Sequence, residues 1–212
     1  MRFIVIRHAE SQWNREGIIQ GQLDSPVTPQ GHRQIAALMV ALKEMPFSQI
    51  FSSPSGRAMT TAQALASQGQ CALSSDVRLH EQHFGCLQGQ PYHQAMRSHP
   101  DIIPRIFAGE PAASAPEGES AFDVAQRLSA FFLSFPSSLR GTFGVVTHGH
   151  ALQALIWQLK GETGWMTPAD TITPTAVIQC LSWVMGGCNY KAGGCHAFTG
   201  AAAGPYLVRA RR

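Results

Sequence analysis

The sequence has little of what marks a disulfide-stapled, metal-binding or membrane-spanning protein. Its five cysteines are an odd number and form no CxxC pair, which argues against a disulfide framework and a cysteine-based zinc site. No apolar run approaches the length of a membrane-spanning helix, so no membrane partner is expected. Charged residues are only 14% of the chain, and a net charge of +3 is too small to indicate nucleic-acid binding.

Length and composition are typical of a single ordered domain. The 212 residues fit one α/β domain, and 44% of them are hydrophobic. The first strand begins at Phe3, which predicts that no signal peptide is present; with reduced cysteines this favours a cytoplasmic protein. The composition is compatible with a monomer and with a homo-oligomer. We expect one domain over residues 1–192, followed by an Ala/Gly-rich tail over residues 193–212 to which the sequence assigns no structure.

Apolar β-branched segments alternate with segments of helical periodicity. Strands are predicted at 3–6, 49–53, 71–75 (continued through 76–81), 143–147 and 177–184, the last followed by a hairpin turn at Gly186-Gly187. Helices are predicted from Thr28-Pro29, over 55–68 with Gly69 as C-cap, from Ser120 with Phe122 on its apolar side, and over 149–160. This alternation predicts a mainly parallel sheet with helices on both faces. Residues 84–118 interrupt it and are predicted to be an irregular, lid-like insertion with one short helix at 92–98.

Charged and titratable side chains follow four of the predicted strands. Arg7 and His8 follow the first strand, Arg57 lies in the first turn of the helix after the second, Glu81 follows the third and His148 the fourth. Because the carboxyl ends of parallel strands lie at one edge of a sheet, we expect these five side chains to converge.

This set of side chains suits chemistry on a phosphoryl group. Two guanidiniums can hold a tetrahedral oxyanion bidentately. A neutral imidazole is a competent nucleophile toward phosphorus, and a carboxylic acid can protonate the leaving alkoxide. The second histidine, if protonated, adds positive charge for the equatorial oxygens. Since arginines and histidines supply the positive charge, the chemistry requires no metal and no other cofactor.

The motifs that carry these residues resemble those of the histidine phosphatase superfamily, the phosphoglycerate mutase-like proteins with an RHG signature. The matching blocks occur in the family's order over roughly residues 1–160: Arg7-His8-Ala9-Glu10-Ser11, 20–31 with Asp24, 52–58 with Thr61-Ala62, 79–81 with Phe84-Gly85 and Gly89, 116–120 and 147–150. Within branch 1 the chain is most similar to broad-specificity or α-ribazole-type phosphatases. Ala9 replaces the more usual glycine, which is tolerable if the backbone there avoids positive φ.

The resemblance implies a fold, an activity and roles for named residues. The fold would be a three-layer α/β/α sandwich whose sheet is closed at one edge by an antiparallel strand. The activity would be metal-independent hydrolysis of a small phosphorylated metabolite through a phosphohistidine on His8, with Glu81 as general acid and base. Arg7, Arg57 and His148 would bind the phosphoryl group, and lesser contacts would come from Asn14, Gln20, Gly21 and the Gly149 backbone amide.

Two other functions stay open at this point. A mutase would use the same residues to move phosphate within a sugar acid, and a non-catalytic phosphoryl-binding protein would need the arginines but not Glu81. Glu10 is the alternative acid, and His150 is expected to be only the N-terminal residue of a helix. Sugar phosphates, phosphoglycerates, α-ribazole phosphate, phosphoserine and nucleotides all remain possible substrates.

Overall fold

The structure, a computed structural model, describes residues 1–160, 177–184, 187–189 and 196–197. The strands of this part are β1 (Arg2–Arg7), β2 (Phe47–Ser52), β3 (Ala72–Ser75), β4 (Thr142–Thr147), β5 (Val177–Val184), β6 (Gly187–Asn189) and β7 (His196–Ala197). Its helices are α1 (Gln12–Glu16), α2 (Pro29–Ala41), α3 (Gly56–Gly69), α4 (Tyr92–Ser98), α5 (Ile103–Phe107), α6 (Ala121–Leu133) and α7 (Gly149–Lys160), with 3-10 turns at Val77–Leu79 and Gly85–Leu87.

The strands form one sheet in the order β3-β2-β4-β1-β5-β6, with β7 paired to β5. β1, β2, β3 and β4 run parallel to one another, and β5 pairs antiparallel with β1. The expected mainly parallel sheet is therefore confirmed. In the register of β1 and β4, Arg7 lies opposite Thr147, so the residues that follow them, His8 and His148, leave the sheet side by side.

Two hydrophobic clusters fill the two faces of the sheet. Phe3 and Val5 of β1 pack into the cluster that contains residues of α6 and α7. Ile4 and Ile6, whose side chains alternate to the other face, pack with residues of α2 and α3. This arrangement confirms the three-layer α/β/α sandwich. No helix within the described ranges is long and apolar enough to cross a membrane.

The helix starts that the sequence indicates are confirmed. The Thr28 hydroxyl accepts from the Gly31 N–H at 2.9 Å, directly before Pro29 at the first helical position. Ser120 and Asp123 form a reciprocal capping box at the start of α6.

Three local predictions are wrong. Gly69 is still helical, and Gln70 takes the left-handed conformation (φ 48°) that ends α3. Residues 76–81 do not continue the third strand, because the Asp76 side chain accepts from the Arg78 N–H and starts a 3-10 turn. Phe122 is 49% exposed rather than part of the buried side of α6.

The insertion at 84–118 is more regular than predicted. It contains α5 in addition to the expected α4, and residues such as Leu87, Ala95 and Ile103 build a hydrophobic cluster of their own. At five residues, α5 is too short to show helical periodicity. In the tail, to which the sequence assigns no structure, the described residues His196–Ala197 form β7. The predicted hairpin leads into β6 as expected, although the first residue of its turn lies outside the described residues.

Candidate active site

A cavity of about 380 Å³ opens at the carboxyl ends of the central strands. Four of the five predicted side chains line it, namely Arg7, His8, Arg57 and Glu81. The fifth, His148, is fully buried beside the cavity, and the centroid of its ring lies 5.0 Å from that of His8. The structure thus brings all five predicted residues together.

His8 is held as a neutral imidazole with one unprotonated nitrogen. Its Nδ1 lies 2.7 Å from the carbonyl oxygen of Ala9; because a carbonyl can only accept, Nδ1 carries the proton and Nε2 carries the lone pair. The Nε–H of Arg57 donates to that Nε2 at 3.3 Å. Burial, and then the charges of Arg57 and Arg7, hold the pKa of His8 well below its usual value, so the ring stays uncharged.

Arg57 is fixed by a loop that the sequence did not connect to it. Its Nη2 donates to the carbonyl of Gly21 at 2.8 Å, and its Nη1 to the carbonyl of Leu23 at 2.7 Å and the carboxylate of Asp24 at 2.9 Å. The guanidinium is 1% exposed, and burial lowers its pKa while the hydrogen bond that it donates to Asp24 opposes that shift. The carboxylate also accepts from the Arg57 N–H, which ties this loop to the first turn of α3.

Arg7 lies at the end of β1, against the backbone of Gly149. A Cβ added at Gly149 would lie 3.5 Å from the Arg7 Cζ, which shows how closely the main chain passes the guanidinium. Burial lowers the pKa of Arg7, the charge of Glu81 raises it and that of Arg57 lowers it further. The cavity therefore places two cationic groups and one carboxylate within each other's electrostatic reach.

Glu81 is 8% exposed and accepts three backbone hydrogen bonds. Its Oε1 accepts from the N–H of Gln82 at 3.0 Å and of Ala151 at 2.8 Å, whereas among the described residues its Oε2 accepts only from the N–H of His150 at 3.2 Å. The last two N–H groups belong to the first turn of α7 and have no intrahelical partner. Oε2 has the greater unused acceptor capacity, so it is the oxygen that would carry a transferable proton.

His148 is neutral when only protein charges surround it. Burial is the largest cause that holds its pKa well below the usual value, followed by the charges of Arg57 and His8. The expected positive charge on this ring therefore requires a bound anion, which would favour the protonated form. Its Nε2 lies 2.7 Å from the hydroxyl of Ser53, and its buried Nδ1 has no hydrogen-bond partner among the described residues, which leaves Nδ1 for a phosphoryl oxygen.

A hydroxyl chain behind His148 was also missed by the sequence reasoning. The Ser53 hydroxyl lies 3.3 Å from that of Ser55, which in turn lies 3.3 Å from Nδ1 of His80. The signal in the sequence is the 52–58 block, which contains Ser53 and Ser55. His80 is partly buried, and burial is the first cause that lowers its pKa.

The residues that the resemblance implies as lesser phosphoryl contacts differ in which of their groups are already hydrogen-bonded. Asn14, Gln20, Gly21 and Gly149 all line the cavity. The side-chain oxygen of Asn14 already accepts from the N–H and the hydroxyl of Ser11, so its amide nitrogen is the group left to meet a ligand. The side chain of Gln20 is engaged with the hydroxyls of Ser11 and Ser25. Gly21 supports Arg57 through its carbonyl.

Three neighbouring residues are also placed by the structure. Glu10 is not among the residues that line the cavity, and its carboxylate accepts from the Thr28 hydroxyl at 2.6 Å, so Glu81 is the better placed acid. Ala9 does not have positive φ, which explains why alanine is tolerated there. His150 is an N-terminal residue of α7 as predicted, but it also lines the cavity.

One wall of the cavity is aromatic, which the sequence did not indicate. Trp13, Phe84, Tyr92 and Phe107 line it together with His150. They come from α1, α4, α5, the turn after Glu81 and α7, so no local spacing connects them. Within the described residues, no group of three or more His, Cys, Asp or Glu side chains could hold a metal ion.

Comparisons with known proteins agree with this geometry. The sequence model of the histidine phosphatase superfamily (branch 1) matches residues 3–193. A probable phosphoglycerate mutase, GpmB of Escherichia fergusonii, is 31% identical over 168 residues, which are 78% of this chain and 77% of that protein.

Solved structures show the same relationship. Bacillus stearothermophilus YhfR is 26% identical with a TM-score of 0.80, over 92% of this chain and 97% of that one. A mycobacterial glucosyl-3-phosphoglycerate phosphatase solved with VO3 is 29% identical with a TM-score of 0.76, over 90% of this chain and 96% of that one. The chain therefore belongs to branch 1 of the histidine phosphatase superfamily.

Proposed function

We propose that this chain hydrolyses small phosphomonoesters through a phosphohistidine intermediate on His8, without a metal ion. The observation that carries the proposal is the state of His8: its Nδ1–H is directed to the Ala9 carbonyl, and its free Nε2 lies beside the Nε–H of Arg57. A carboxyl group, Glu81, lines the same cavity. A nucleophile, a cationic binding group and an acid are thus within reach of one phosphoryl group.

The first step transfers the phosphoryl group to the enzyme. Arg7 and Arg57 hold the phosphoryl oxygens, and Nε2 of His8 attacks phosphorus to form a P–N bond. The P–O bond to the leaving group breaks, and the departing alkoxide takes the proton from Oε2 of Glu81. The arriving dianion favours protonation of His148, whose Nδ1–H would then donate to a phosphoryl oxygen.

The second step returns the enzyme to its starting state. Water attacks phosphorus and gives a proton to the Glu81 carboxylate, the P–N bond breaks, and the electron pair returns to Nε2 of His8. Inorganic phosphate leaves. Glu81 therefore acts first as acid and then as base, and ends with the proton that the next cycle needs.

A mutase remains the second candidate, because a curated relative is named a probable phosphoglycerate mutase. The described residues that line the cavity contain no lysine, and their only arginines are Arg7 and Arg57. Both are assigned to the phosphoryl group, so none of these residues offers a further cation for the carboxylate of a sugar acid. This charge inventory favours hydrolysis. A purely phosphoryl-binding protein is disfavoured because it has no use for the carboxyl group of Glu81 beside the nucleophile.

The test is to trap the intermediate. The enzyme is mixed with p-nitrophenyl phosphate, quenched in alkali, where phosphohistidine survives, and digested for mass spectrometry. We expect phosphate on the peptide that contains His8, and neither phosphate nor turnover in His8→Ala; Glu10→Gln, outside the cavity, serves as the control. Turnover retained by His8→Ala would reject the mechanism. Conversion of 3-phosphoglycerate to 2-phosphoglycerate faster than release of inorganic phosphate would favour the mutase.

A further inference from the structure

We propose that the leaving group of the natural substrate is an uncharged alcohol that carries a flat aromatic or similarly apolar body. This inference rests on the proposed function and names its substrate class. It derives from the aromatic wall, defined here as Trp13, Phe84, Tyr92, Phe107 and His150.

Four rings of the aromatic wall, those of Phe84, Tyr92, Phe107 and His150, hold one another in place. Phe84 and Phe107 are nearly parallel, with centroids 5.9 Å apart, and Tyr92 meets Phe107 edge-on at 5.0 Å. The His150 ring is edge-on to both Phe84 and Phe107, at 5.1 Å each. Such mutual contacts fix the rings before a ligand arrives, so little side-chain entropy remains to be lost on binding.

The position of the aromatic wall indicates that it contacts the leaving group of the substrate. The Oε2 of Glu81, which meets the leaving-group oxygen, accepts a hydrogen bond from the His150 N–H at 3.2 Å. The wall therefore begins next to the acid that protonates the leaving group. Since Arg7, His8 and Arg57 occupy the phosphoryl end, the part of the substrate beyond the ester oxygen must extend along the aromatic rings.

The charges near the wall argue against a negatively charged leaving group. The imidazole of the wall is that of His150. Burial lowers the pKa of this imidazole, the charge of Glu81 raises it, and the charge of Arg7 lowers it further. A neutral imidazole can exchange one hydrogen bond with a hydroxyl or a ring nitrogen, but it cannot neutralise a carboxylate. A cavity of about 380 Å³ is large enough for a phosphoryl group and one further ring system.

The test compares esters whose alcohols are all primary. The substrates are 2-phenylethyl phosphate, n-propyl phosphate and 3-phosphoglycerate, so that differences report binding of the alcohol more than its basicity. We expect kcat/KM for 2-phenylethyl phosphate to be at least about tenfold that for n-propyl phosphate, with 3-phosphoglycerate slowest. Equal values for the first two esters, or a preference for 3-phosphoglycerate, would overturn the inference but leave the phosphatase proposal standing. Hydrolysis of none of the three would reject both.

Variants of the aromatic wall test whether the wall causes the preference for 2-phenylethyl phosphate. Phe107→Ala and Tyr92→Ala should each lower the ratio of kcat/KM for 2-phenylethyl phosphate to that for n-propyl phosphate by at least about fivefold, and Tyr92→Phe should retain it. The ratio cancels any loss of folded protein, and Tyr92 is 39% exposed, so its replacement leaves no buried cavity. The control is Phe122→Ala, an exposed phenylalanine of α6 outside the cavity. A ratio unchanged in both alanine variants would assign the preference elsewhere and contradict the role of the wall.

Discussion

Replacing Glu81 with glutamine separates the hydrogen bonds that its carboxyl group accepts from the proton transfer that we propose for it. The side chain accepts hydrogen bonds from N–H groups at the start of α7, and it is placed to transfer a proton through Oε2. Glutamine has nearly the same shape, and its oxygen can still accept from Gln82 and Ala151. Its NH₂ group, however, would face the His150 N–H and could not exchange a proton with the leaving group.

The structural cost of this change is small. One hydrogen bond of 3.2 Å is lost and replaced by two opposed donors, which costs about 1 kcal/mol. For a chain of 212 residues this corresponds to a fall in Tm of roughly 2–4 °C. Since folded proteins are stable by about 5–15 kcal/mol, the variant stays folded and lost structure cannot account for a large loss of rate.

The catalytic cost is expected to be much larger and to depend on the leaving group. Loss of general acid catalysis lowers rates by about 10²–10⁴, or about 2.7–5.5 kcal/mol of barrier. An alkoxide needs this proton, whereas p-nitrophenolate leaves readily without it. We therefore expect Glu81→Gln to reduce phosphorylation of His8 by n-propyl phosphate far more than by p-nitrophenyl phosphate.

The assay is single-turnover formation of the phosphoenzyme with both esters, which isolates the first step from the attack of water. Thermal unfolding of the same samples reports the structural cost. Glu10→Gln is the matched control, because that carboxylate accepts from Thr28 and lies outside the cavity. An equal fall for the aryl and the alkyl ester, or a loss of Tm large enough to unfold the variant at the assay temperature, would refute Glu81 as general acid.

Three further outcomes are expected. Hydrolysis of p-nitrophenyl phosphate should be unchanged by EDTA; activity that is lost and then restored by zinc or magnesium would contradict the metal-free mechanism. His8 and His148 are buried and have lowered pKa values, so below about pH 6.5 the unfolded chain binds protons that the folded chain does not. As the pH drops below that value, the free energy of unfolding should fall by about 1.4 kcal/mol per pH unit for each of the two groups. Constant stability from pH 7.5 to 5.5 in denaturant titrations would contradict this expectation. Gly21→Ala and Gly17→Ala should each lower the free energy of unfolding by about 1–2 kcal/mol, because both glycines have positive φ. Only the Cβ of Gly21→Ala would also contact Gln88 and disturb the carbonyl that holds Arg57, so only this variant should lower kcat/KM as well.

The sequence predicted the five chemical residues because their convergence is a consequence of topology. Parallel pairing of β1 and β4 with Arg7 opposite Thr147 leaves no other place for His8 and His148. A strand-helix alternation contains that information, since it specifies which strand ends share an edge. Strand register and side-chain geometry were not needed to predict which five residues converge.

The support for Arg57 could not be predicted in the same way. Two of its partners are backbone carbonyls, of Gly21 and Leu23, and every residue has a carbonyl. Their position depends on the path of a loop that lies more than thirty residues earlier in the chain. The neutral state of His148 was missed for a related reason: its pKa depends first on burial, which is a property of the folded packing. The aromatic wall combines residues from five separate segments, so no periodicity in the sequence predicts it.

In the proposed mechanism, the contact between Arg57 and His8 would couple substrate binding to activation of the nucleophile. The Arg57 Nε–H donates to the same Nε2 lone pair that must attack phosphorus, so without a substrate the nucleophile is occupied. For the guanidinium donor, a phosphoryl oxygen is a stronger acceptor than a neutral imidazole nitrogen, because the phosphoryl group is itself negatively charged. The arriving phosphoryl group therefore draws the Nε–H to itself and frees the lone pair as it brings phosphorus within reach. The same guanidinium charge holds the pKa of His8 low, which keeps that lone pair free of a proton until then.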